Sequence, residues 1–217
     1  MFVNDGSTDR TGEVVASKYA NDPRLQTITH SKPHGVGGSF WEGVERARGE
    51  VVLWLPGDNE SDPWEILRYY TLLEHVDMVI PFIFNTEVRP RARRVLSQVY
   101  RFIINLTFGT NFNYTNGTIL YRKSIFSKLP YRSHSFFFQT DILIRLSKMG
   151  CLFAEVPARL GVRDFGSSKA VTFPSFVKVA RGYLKLINEY YFHNPTRGRQ
   201  EFSPDTQTSK RQKDETH

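Results

Sequence analysis

The segment Glu50-Val51-Val52-Leu53-Trp54-Leu55-Pro56-Gly57-Asp58 gives the strongest indication of the fold. The run from Glu50 to Leu55 is apolar after its first residue and ends at a Pro-Gly pair, a pattern typical of a strand buried on both faces of a parallel sheet. Ligands of such sheets bind beyond the C-terminal ends of the strands. We therefore expect Asp58 to lie at a ligand site.

On both sides of this predicted strand, short apolar runs alternate with helical patterns. This alternation predicts an α/β fold, a sheet with helical crossovers. The predicted strands are 24–29, 50–55, 77–84, 118–121 and 152–158, and the predicted helices are 11–19, 36–48, 62–74, 91–108, 137–149 and 173–191. One domain is expected over residues 1–193. The polar residues 194–217 are expected to form a disordered tail.

The charge of the chain is unevenly distributed. Residues 1–88 carry seven Lys and Arg against 14 Asp and Glu, whereas residues 89–117 carry five Arg and no acid. This asymmetry favours a polyanionic ligand held between a metal-binding carboxylate side and an arginine side, an anionic membrane surface, or both. No nucleic-acid partner is expected, because the sequence has no helix-turn-helix, zinc or RNA-recognition motif. A single cysteine, Cys151, excludes an internal disulfide framework.

The predicted helix 91–108 has two interpretations. Its first turns carry Arg91, Arg93, Arg94 and Arg101, and residues 102–108 are apolar nearly all round. It is either a core helix with solvated arginines or an amphipathic helix lying at a membrane surface. The local pattern leaves both open. The sequence contains no run of 18 apolar residues, so it does not predict a membrane-spanning helix.

Two polar segments follow predicted strands. Asn4-Asp5-Gly6-Ser7 has side chains that read a nucleobase or ribose edge, with Gly6 for a sharp turn, although such a string is also an ordinary turn. Asp58 and Glu60 offer oxygen ligands to Mg²⁺ or Mn²⁺ that also hold substrate phosphates. The same segment is a good helix start, with Asp62 as the cap.

Two further segments carry charged side chains. Asp141, in Gln139-Thr140-Asp141, is expected at a helix N-terminus, where an ionised carboxylate suits a general base or an electrostatic partner, or is only a helix-start acid. Arg163-Asp164-Phe165-Gly166-Ser167-Ser168-Lys169 is a glycine-serine loop bracketed by cations. It reads as a phosphate clamp or as a basic surface loop.

The order of these motifs resembles glycosyltransferase family 2, the inverting nucleotide-sugar-dependent transferases with a GT-A fold, and especially the polyprenyl-phosphate (dolichyl-phosphate) mannose or glucose synthases. Residues 3–11 are similar to the family's Asp-Asp-Gly-Ser-x-Asp-x-Thr segment, and residues 51–58 to the strand before its Asp-x-Asp motif. Residues 115–118 are similar to its Ser/Thr-x-Gly-Phe loop, and residues 163–169 to its Arg-x-x-Gly-x-Ser-Lys loop. The resemblance covers about residues 2–190.

The resemblance implies a GT-A-like, mostly parallel sheet flanked by helices and a hexosyltransferase activity. Sugar would pass from a nucleotide diphosphate sugar to a polyprenyl phosphate at the membrane surface, and the protein would be peripheral on the cytoplasmic face. The implied roles are Asn4, Asp5, Gly6 and Ser7 for the donor nucleotide, Asp58 and Glu60 for Mg²⁺ or Mn²⁺, Asp141 and Arg163 in catalysis, and Arg122, Gln139, Ser168 and Lys169 for phosphate and acceptor.

Two departures from the family pattern leave alternatives open. Pro56 stands at the first position of Asp-x-Asp, and the family's first strand and helix have no counterpart before Met1. These departures favour a catalytically degenerate, membrane-associated binding module. The other alternative is a soluble transferase that acts on a glycan hydroxyl.

Overall fold

The computed structural model describes residues 1–129, 132–161, 173–193 and 200–215, with the backbone alone for 173–175. Within these ranges the strands are β1 (Phe2–Asn4), β2 (Thr27–Thr29), β3 (Val51–Leu53), β4 (Met78–Ile83), β5 (Leu120–Arg122) and β6 (Phe153–Ala158). The α-helices are α1 (Thr11–Tyr19), α2 (Val36–Arg46), α3 (Trp64–Leu67), α4 (Arg91–Phe108), α5 (Phe138–Lys148), α6 (Phe173–Asn188) and α7 (Gln207–Asp214).

Shorter helical turns complete the described elements. Three 3₁₀ helices cover Tyr70–Glu74, Thr86–Val88 and Lys123–Lys128, and a π-helical turn, Glu189–His193, extends α6. The helix predicted over 62–74 is therefore broken into α3 and a 3₁₀ segment. Helix α4 has the predicted bounds, and Gly109 ends it in the left-handed conformation at φ 57°.

The strands form two sheets rather than one mostly parallel sheet. Strands β1 and β2 pair in parallel, and the second sheet has the order β3-β5-β4-β6. In it β4 and β6 are parallel, whereas β5 is antiparallel to both β3 and β4. Strands β3, β4 and β6 therefore run in one direction, and the expected mostly parallel arrangement holds except at β5. One edge of β1 and one edge of β3 pair with no strand of the described ranges.

The direction of β5 follows from the position of α4. Residues from α4, from the end of β4 and from the loop before β5 line one common cavity. Helix α4 and the loop after it therefore lie near the C-terminal end of β4. Strand β5 begins at that end of the sheet and runs back beside β4, which makes it antiparallel to β4.

Both faces of the larger sheet are buried, as the apolar strand runs require. Side chains alternate between the faces of a strand. Met78 and Ile80 belong to the larger core cluster, whereas Val79 between them packs in a second cluster under α3 and the 3₁₀ turn that follows it. The larger cluster also contains aromatic residues of α2 and the apolar face of α5. The sheet is thus the middle layer of an α/β fold.

The C-terminal segment corrects another expectation. Residues 200–215 pack on the domain, with Phe202 in the larger core cluster and α7 capped by the Thr206 hydroxyl, which accepts a hydrogen bond from the Ser209 amide. The buried Asp77 carboxylate accepts hydrogen bonds from the backbone amides of Gln207 and Thr208, both 2.8 Å. The prediction of a disordered tail is wrong for these residues, because specific hydrogen bonds fix a segment whose composition is polar.

Candidate active site

A cavity of about 670 Å³ opens at the C-terminal end of β3, where the sequence predicts a ligand site. Its polar wall comes from the loop after β3, from the residues before α4 and from the start of α5. Its apolar wall comes mainly from α4. The lining includes Trp54, Pro56, Asp58, Glu60, Asp62, Glu65, Arg89, Arg93, Leu96, Val99, Tyr100, Ile103, Tyr114, Asn116, Gly117, Phe136, Gln139, Phe176 and Val179.

Asp58 lies in the wall of this cavity. The chain turns sharply after it, with Asn59 in the left-handed region at φ 58°, a conformation that Asn tolerates better than most residues. The amide of Glu60 donates to Asp58 Oδ1 at 3.2 Å, which fixes one carboxylate oxygen toward the turn. The structure therefore places Asp58 where a metal ligand is expected.

Glu60 also lines the cavity, but its carboxylate faces arginines. It lies 3.6 Å from the Arg93 guanidinium and 4.0 Å from that of Arg89, and its side chain is only 12% exposed. A carboxylate neutralised by two cations is a weaker ligand for a metal ion. The predicted role of Glu60 as a second metal ligand does not fit this arrangement well. Its position fits the orientation of the two arginines better.

Arg89 and Arg93 are functional candidates that the motifs did not single out for the site. Arg89 is largely buried and its Nη1 donates to the Tyr114 hydroxyl at 3.2 Å, while its Nε has no hydrogen-bond partner. The available signal was the acid-free segment 89–117, which begins with Arg89. Two cations against one carboxylate leave this wall of the cavity positive, which suits an anionic ligand.

Gln139 lies at the cavity as predicted, and the loop before β5 holds it. Its Nε2 donates to the Gly117 carbonyl at 2.6 Å. A Cβ at Gly117 would come within 2.9 Å of the Pro81 carbonyl oxygen, so only glycine allows this loop to pack against β4. The next residue, Thr140, exchanges a 2.8 Å hydrogen bond with the Tyr100 hydroxyl from α4. These contacts tie α4, α5 and the loop together around the cavity.

Asp141 does not line the cavity. Its carboxylate is buried, and both oxygens accept 3.1 Å hydrogen bonds from Arg145 Nε one turn later in α5. Arg145 also pairs with Glu189 after α6. Burial raises the pKa of Asp141 to about 6, although the Arg145 guanidinium acts in the opposite direction. The structure assigns Asp141 to a helix-packing ion pair rather than to a group facing the acceptor.

Arg122 lies at the opposite end of the sheet from Asp58. The register of β5 on β3 pairs Arg122 with Val51, the first residue of β3, whereas Asp58 follows the last. Its Nε donates to the buried Asp77 carboxylate at 3.0 Å and its Nη2 to the Leu73 carbonyl at 2.7 Å. The predicted phosphate contact of Arg122 is therefore wrong in this arrangement, because β5 runs antiparallel.

The loop after β1 is close-packed but does not line the cavity. Gly6 turns the chain at φ 73°, and Asn4 Oδ1 accepts from the Ser7 amide at 3.0 Å. Asp5 accepts from the amides of His34 and Gly35 at 2.7 and 2.9 Å. The structure thus brings the predicted nucleotide segment together with the glycine-rich start of α2. The side-chain amide of Asn4 and the carboxylate of Asp5 thus shape this loop.

A histidine cluster missed by the motifs surrounds Asp5. His30 is buried, with Nδ1 at 2.8 Å from Asp5 and Nε2 at 2.6 Å from Glu42, and its ring stacks on that of His34 at 3.9 Å. The hydrogen bond with Asp5 raises the pKa of His30 above its usual value, and the hydrogen bond with Glu42 adds to this effect. Burial acts in the opposite direction. His30, His34 and Glu42 offer ligand atoms within 4.8 Å of one another, yet both ring nitrogens of His30 are already engaged.

Comparison with known families agrees with this arrangement. The model of the family described as Glycosyl transferase family 2 matches residues 1–137, more than half of the chain. The chain belongs to glycosyltransferase family 2. The resemblance read from its motifs is thereby confirmed.

Two relatives share this family 2 sequence over most of the chain. The undecaprenyl-phosphate mannosyltransferase of Micrococcus luteus is 25% identical over 185 residues, which are 78% of this chain and 74% of the relative. The undecaprenyl-phosphate 4-deoxy-4-formamido-L-arabinose transferase of Edwardsiella ictaluri is 25% identical over 195 residues, 88% of this chain and 55% of the relative. The chain thus spans little more than half the length of the second relative.

Solved structures share the fold of this family 2 chain. Mannosyl-3-phosphoglycerate synthase from Rubrobacter xylanophilus matches 94% of this chain and 66% of its own, with a TM-score of 0.62 and 17% identity. Glucosyl-3-phosphoglycerate synthase from Mycobacterium tuberculosis in complex with Mg²⁺ and UDP matches 86% of this chain and 66% of its own, with a TM-score of 0.61 and 17% identity. The predicted GT-A-like α/β class is confirmed.

The donor set at the cavity fits one divalent cation held mainly by Asp58. Glu60 is engaged with arginines, and Asp62 accepts from the Trp64 amide at 2.9 Å. Mg²⁺ is commonly held by one or two carboxylates together with substrate phosphates. One carboxylate beside a cavity large enough for a diphosphate meets that requirement. Arg163, Ser168 and Lys169 lie outside the described residues.

Proposed function

We propose that this chain transfers a hexose from a nucleotide diphosphate sugar to a polyprenyl phosphate, with inversion at the anomeric carbon. The observation that carries the proposal is the composition of one cavity. Asp58 follows β3, Arg89 and Arg93 line the same cavity, and an apolar wall continues onto the exposed face of α4. A metal-bound diphosphate, a phosphate nucleophile and a lipid tail each find a complementary surface there.

The donor side of the cavity is the loop after β3. Asp58 would hold the divalent cation, which when bound supplies Lewis-acid stabilisation of the leaving diphosphate. Asn4 and Asp5 would position the loop after β1 for the nucleoside. Their side chains accept hydrogen bonds from backbone amides of that loop and of the residues just before α2. Gln139, fixed by the Gly117 carbonyl, is available through its amide oxygen at the cavity wall.

The acceptor side is formed by Arg89 and Arg93. Guanidinium groups bind phosphate oxygens with paired, charge-assisted hydrogen bonds. Glu60 holds both guanidiniums at the wall, and the Tyr114 hydroxyl supports Arg89. Bound this way, an acceptor phosphate oxygen attacks the anomeric carbon as the bond to the leaving diphosphate breaks on the opposite side.

The reaction needs no general base if the acceptor is a phosphate. A phosphate monoester has its second pKa near 6 and carries most of its charge at neutral pH. This agrees with the position of Asp141, which is paired with Arg145 away from the cavity. A hydroxyl acceptor needs a base to take its proton. The burial of Asp141 therefore supports the phosphate acceptor over the glycan hydroxyl.

A lipid acceptor is supported by the exposed face of α4. Val95, Val99, Phe102, Ile103 and Leu106 are between 42% and 71% exposed, whereas Ile104 and Phe108 are buried. The helix thus combines a core face with a second apolar face directed outward, next to arginines. This combination is typical of helices that lie at a membrane surface. Among the described helices, none combines the length and hydropathy that crossing a bilayer requires.

The second candidate function is a binding module without turnover. It is favoured by Pro56, which occupies the cavity wall two residues before Asp58 and offers no oxygen ligand from its side chain. Such a module would bind nucleotide diphosphate or polyprenyl phosphate without forming product. Such a module would have the same cavity as the enzyme and would differ only in forming no product.

Transfer of labelled sugar from UDP- and GDP-hexoses to a polyprenyl phosphate tests the proposal. We expect label in the organic-solvent phase that depends on Mn²⁺ or Mg²⁺ and is lost in Asp58→Asn. Label that stays in the aqueous phase on a glycan would support a hydroxyl acceptor. Metal-dependent nucleotide binding with no transfer to any acceptor would favour the binding module.

A further inference from the structure

A second, smaller cavity of about 140 Å³ adjoins the cavity described above and shares Ile83, Arg89, Ser97 and Tyr114 with it. Its lining comes from the end of β4, from the start of α4 and from the loop after it. The lining residues are Phe82, Ile83, Thr86, Arg89, Arg94, Ser97, Gln98, Arg101, Asn113 and Tyr114. Three of them are arginines, and none is acidic. We call this cavity the arginine pocket.

Hydrogen bonds hold two of the three guanidiniums of the arginine pocket, those of Arg89 and Arg101. Arg94 and Arg101 are seven residues apart in α4, so they lie on one face of the helix two turns from each other. Arg101 Nη1 donates to the Asn113 carbonyl at 3.2 Å, and Arg89 Nη1 donates to the Tyr114 hydroxyl at 3.2 Å. The Arg89 Nε is buried without a hydrogen-bond partner. Donors therefore remain for a further ligand.

The charges around the arginine pocket are not balanced by nearby acids. Among the described residues, no carboxylate lies within 4.0 Å of Arg94 or Arg101, and the Arg89 pair with Glu60 is at that limit. The carboxylate of Glu155 in β6 accepts hydrogen bonds from the backbone amide of Asn113 at 2.7 Å and from its side-chain amide at 2.8 Å. Three cations gathered around one small cavity repel one another. A bound anion would relieve that repulsion.

We propose that the arginine pocket binds a phosphate group, distinct from the donor diphosphate and from the reacting phosphate of the acceptor. The pocket offers hydrogen-bond donors of the guanidinium type together with the side chains of Ser97 and Gln98. These groups match tetrahedral phosphate oxygens. The proposal goes beyond the transfer reaction, since it requires neither the metal nor the nucleotide.

Two sources supply this chemistry, a phospholipid headgroup and a free phosphate. The outward apolar face of α4 adjoins the pocket, because Val95 and Phe102 each follow a pocket arginine in sequence and are 59% and 65% exposed. A headgroup phosphate held by Arg94 and Arg101 would leave its acyl chains along that face. A free phosphate would occupy the same donors without a membrane.

Single substitutions in the full chain test the proposal, with Arg91→Gln as the matched control. Arg91 lies on the same helix, is exposed, and lines neither cavity. Loss of one charge near an anionic surface should weaken vesicle binding roughly fivefold. Loss of a charged hydrogen-bond donor from a site should cost about tenfold or more. We therefore expect Arg94→Gln and Arg101→Gln to exceed Arg91→Gln.

Two binding measurements distinguish the sources. Titration with inorganic phosphate or glycerol 3-phosphate reports the free ligand, and co-sedimentation with phosphatidylcholine vesicles with and without phosphatidylglycerol reports the headgroup. A tenfold loss in sedimentation confined to the pocket variants supports the headgroup. A tenfold loss confined to the phosphate titration supports free phosphate.

Equal effects of Arg91→Gln, Arg94→Gln and Arg101→Gln in both measurements would overturn the proposal and leave only diffuse attraction. A thermal melt of each variant excludes misfolding, and Arg94→Gln, which removes no hydrogen bond seen in the structure, is the decisive variant. Mn²⁺-dependent UDP or GDP binding should stay within twofold of the unmodified chain in all three variants. That readout separates failure of this site from failure of the proposed transfer function.

Discussion

Glu60 Oε1 lies 3.6 Å from the guanidinium of Arg93, inside the cavity that also contains Asp58. The loop after β3 therefore presents two carboxylates with different neighbours. Asp58 is fixed by a backbone amide, whereas Glu60 is neutralised by cations. This difference separates a metal ligand from a residue that orients arginines, and it is open to direct test.

The first prediction concerns Glu60→Gln. We expect Mn²⁺-dependent affinity for UDP or GDP to stay within twofold, because Glu60 faces Arg89 and Arg93. The KM for polyprenyl phosphate should rise, since Arg89 and Arg93 lose the carboxylate that holds them at the cavity wall. Glu65→Gln, another cavity carboxylate, is the control and should leave that KM unchanged. A large loss of Mn²⁺-dependent affinity in Glu60→Gln would restore the predicted metal role.

The second prediction concerns Asp58→Asn. Isothermal titration of UDP or GDP with Mn²⁺ should show an affinity about 100-fold lower. Residues that only hydrogen-bond to a metal ligand cost up to that much when mutated, and Asp58 would be the ligand itself. The titration without metal should change little. Asp62→Asn removes a carboxylate from the same loop and should change neither stability nor metal-dependent affinity, because the Asn amide oxygen still accepts the hydrogen bond from the Trp64 amide. Equal affinities of Asp58→Asn and the unmodified chain would exclude Asp58 from the site.

The fold was predictable where the signal is local. Helix α4 has the expected bounds because Pro90 and Gly109 punctuate it, and β3 lies within its predicted apolar run. The direction of β5 was not predictable, because it depends on where α4 lies in three dimensions. The polar composition of residues 200–215 hid a segment that docks through hydrogen bonds to Asp77 rather than through a large apolar face.

The site was predictable for the residues that follow strands. Asp58 and Gln139 line the cavity, but the partners that assign other roles come from distant segments. Glu60 contacts Arg93, which lies 33 positions further along the chain, and Asp141 contacts Arg145, whose second partner, Glu189, follows α6. The four-residue spacing of Asp141 and Arg145 in a helix was the one local signal for that ion pair.

The third prediction concerns Asp141→Asn. Loss of one partner of a buried ion pair lowers the free energy of unfolding by about 3 kcal/mol, but the raised pKa of Asp141 means that a neutral group at this position is favoured in the folded state. Because Glu189 still pairs with Arg145, we expect the two effects to offset each other to within about 1 kcal/mol at neutral pH. Affinity for nucleotide with Mn²⁺ should stay within twofold at a temperature where the variant is folded. Denaturant melts and the same titration measure both. Lost transfer in the folded variant would instead support the catalytic role read from the sequence.

The pH dependence of stability should also change in Asp141→Asn. Burial raises the pKa of Asp141 from 3.8 to about 6, so the folded protein binds this proton more tightly than the unfolded chain does. The contribution of this group to stability therefore decreases as pH rises from about 4 to about 6 and is constant above. In Asp141→Asn that part of the decrease should disappear from a series of melts.

The fourth prediction concerns His30. Its hydrogen bonds to Asp5 and Glu42 raise its pKa above the ordinary 6.5. Its contribution to stability is complete below pH 6.5 and is lost as pH rises through the higher pKa of the folded state. His30→Gln should remove this alkaline decrease, while His75→Gln, at a separate histidine, should keep it. A His30 ring that titrates below 6.5 by NMR would contradict the prediction.

The last prediction concerns Thr208→Val, a change that keeps the shape of the side chain. The Thr208 hydroxyl donates to the fully buried Asp77 carboxylate at 2.6 Å and accepts from the Leu152 amide at 2.9 Å. Removing it leaves a buried amide and a buried carboxylate oxygen each short of a partner, which costs about 1–3 kcal/mol for each unsatisfied group. Denaturant melts should show this loss of stability, whereas Lys210→Ala, at an exposed position of the same helix, should stay within about 0.5 kcal/mol.

Because Asp77 also fixes Arg122 and adjoins β4, amide exchange in β4 should accelerate together with that of α7 in Thr208→Val. If α7 alone exchanged faster, at unchanged global stability, the C-terminal helix would be an independent attachment rather than part of the domain core.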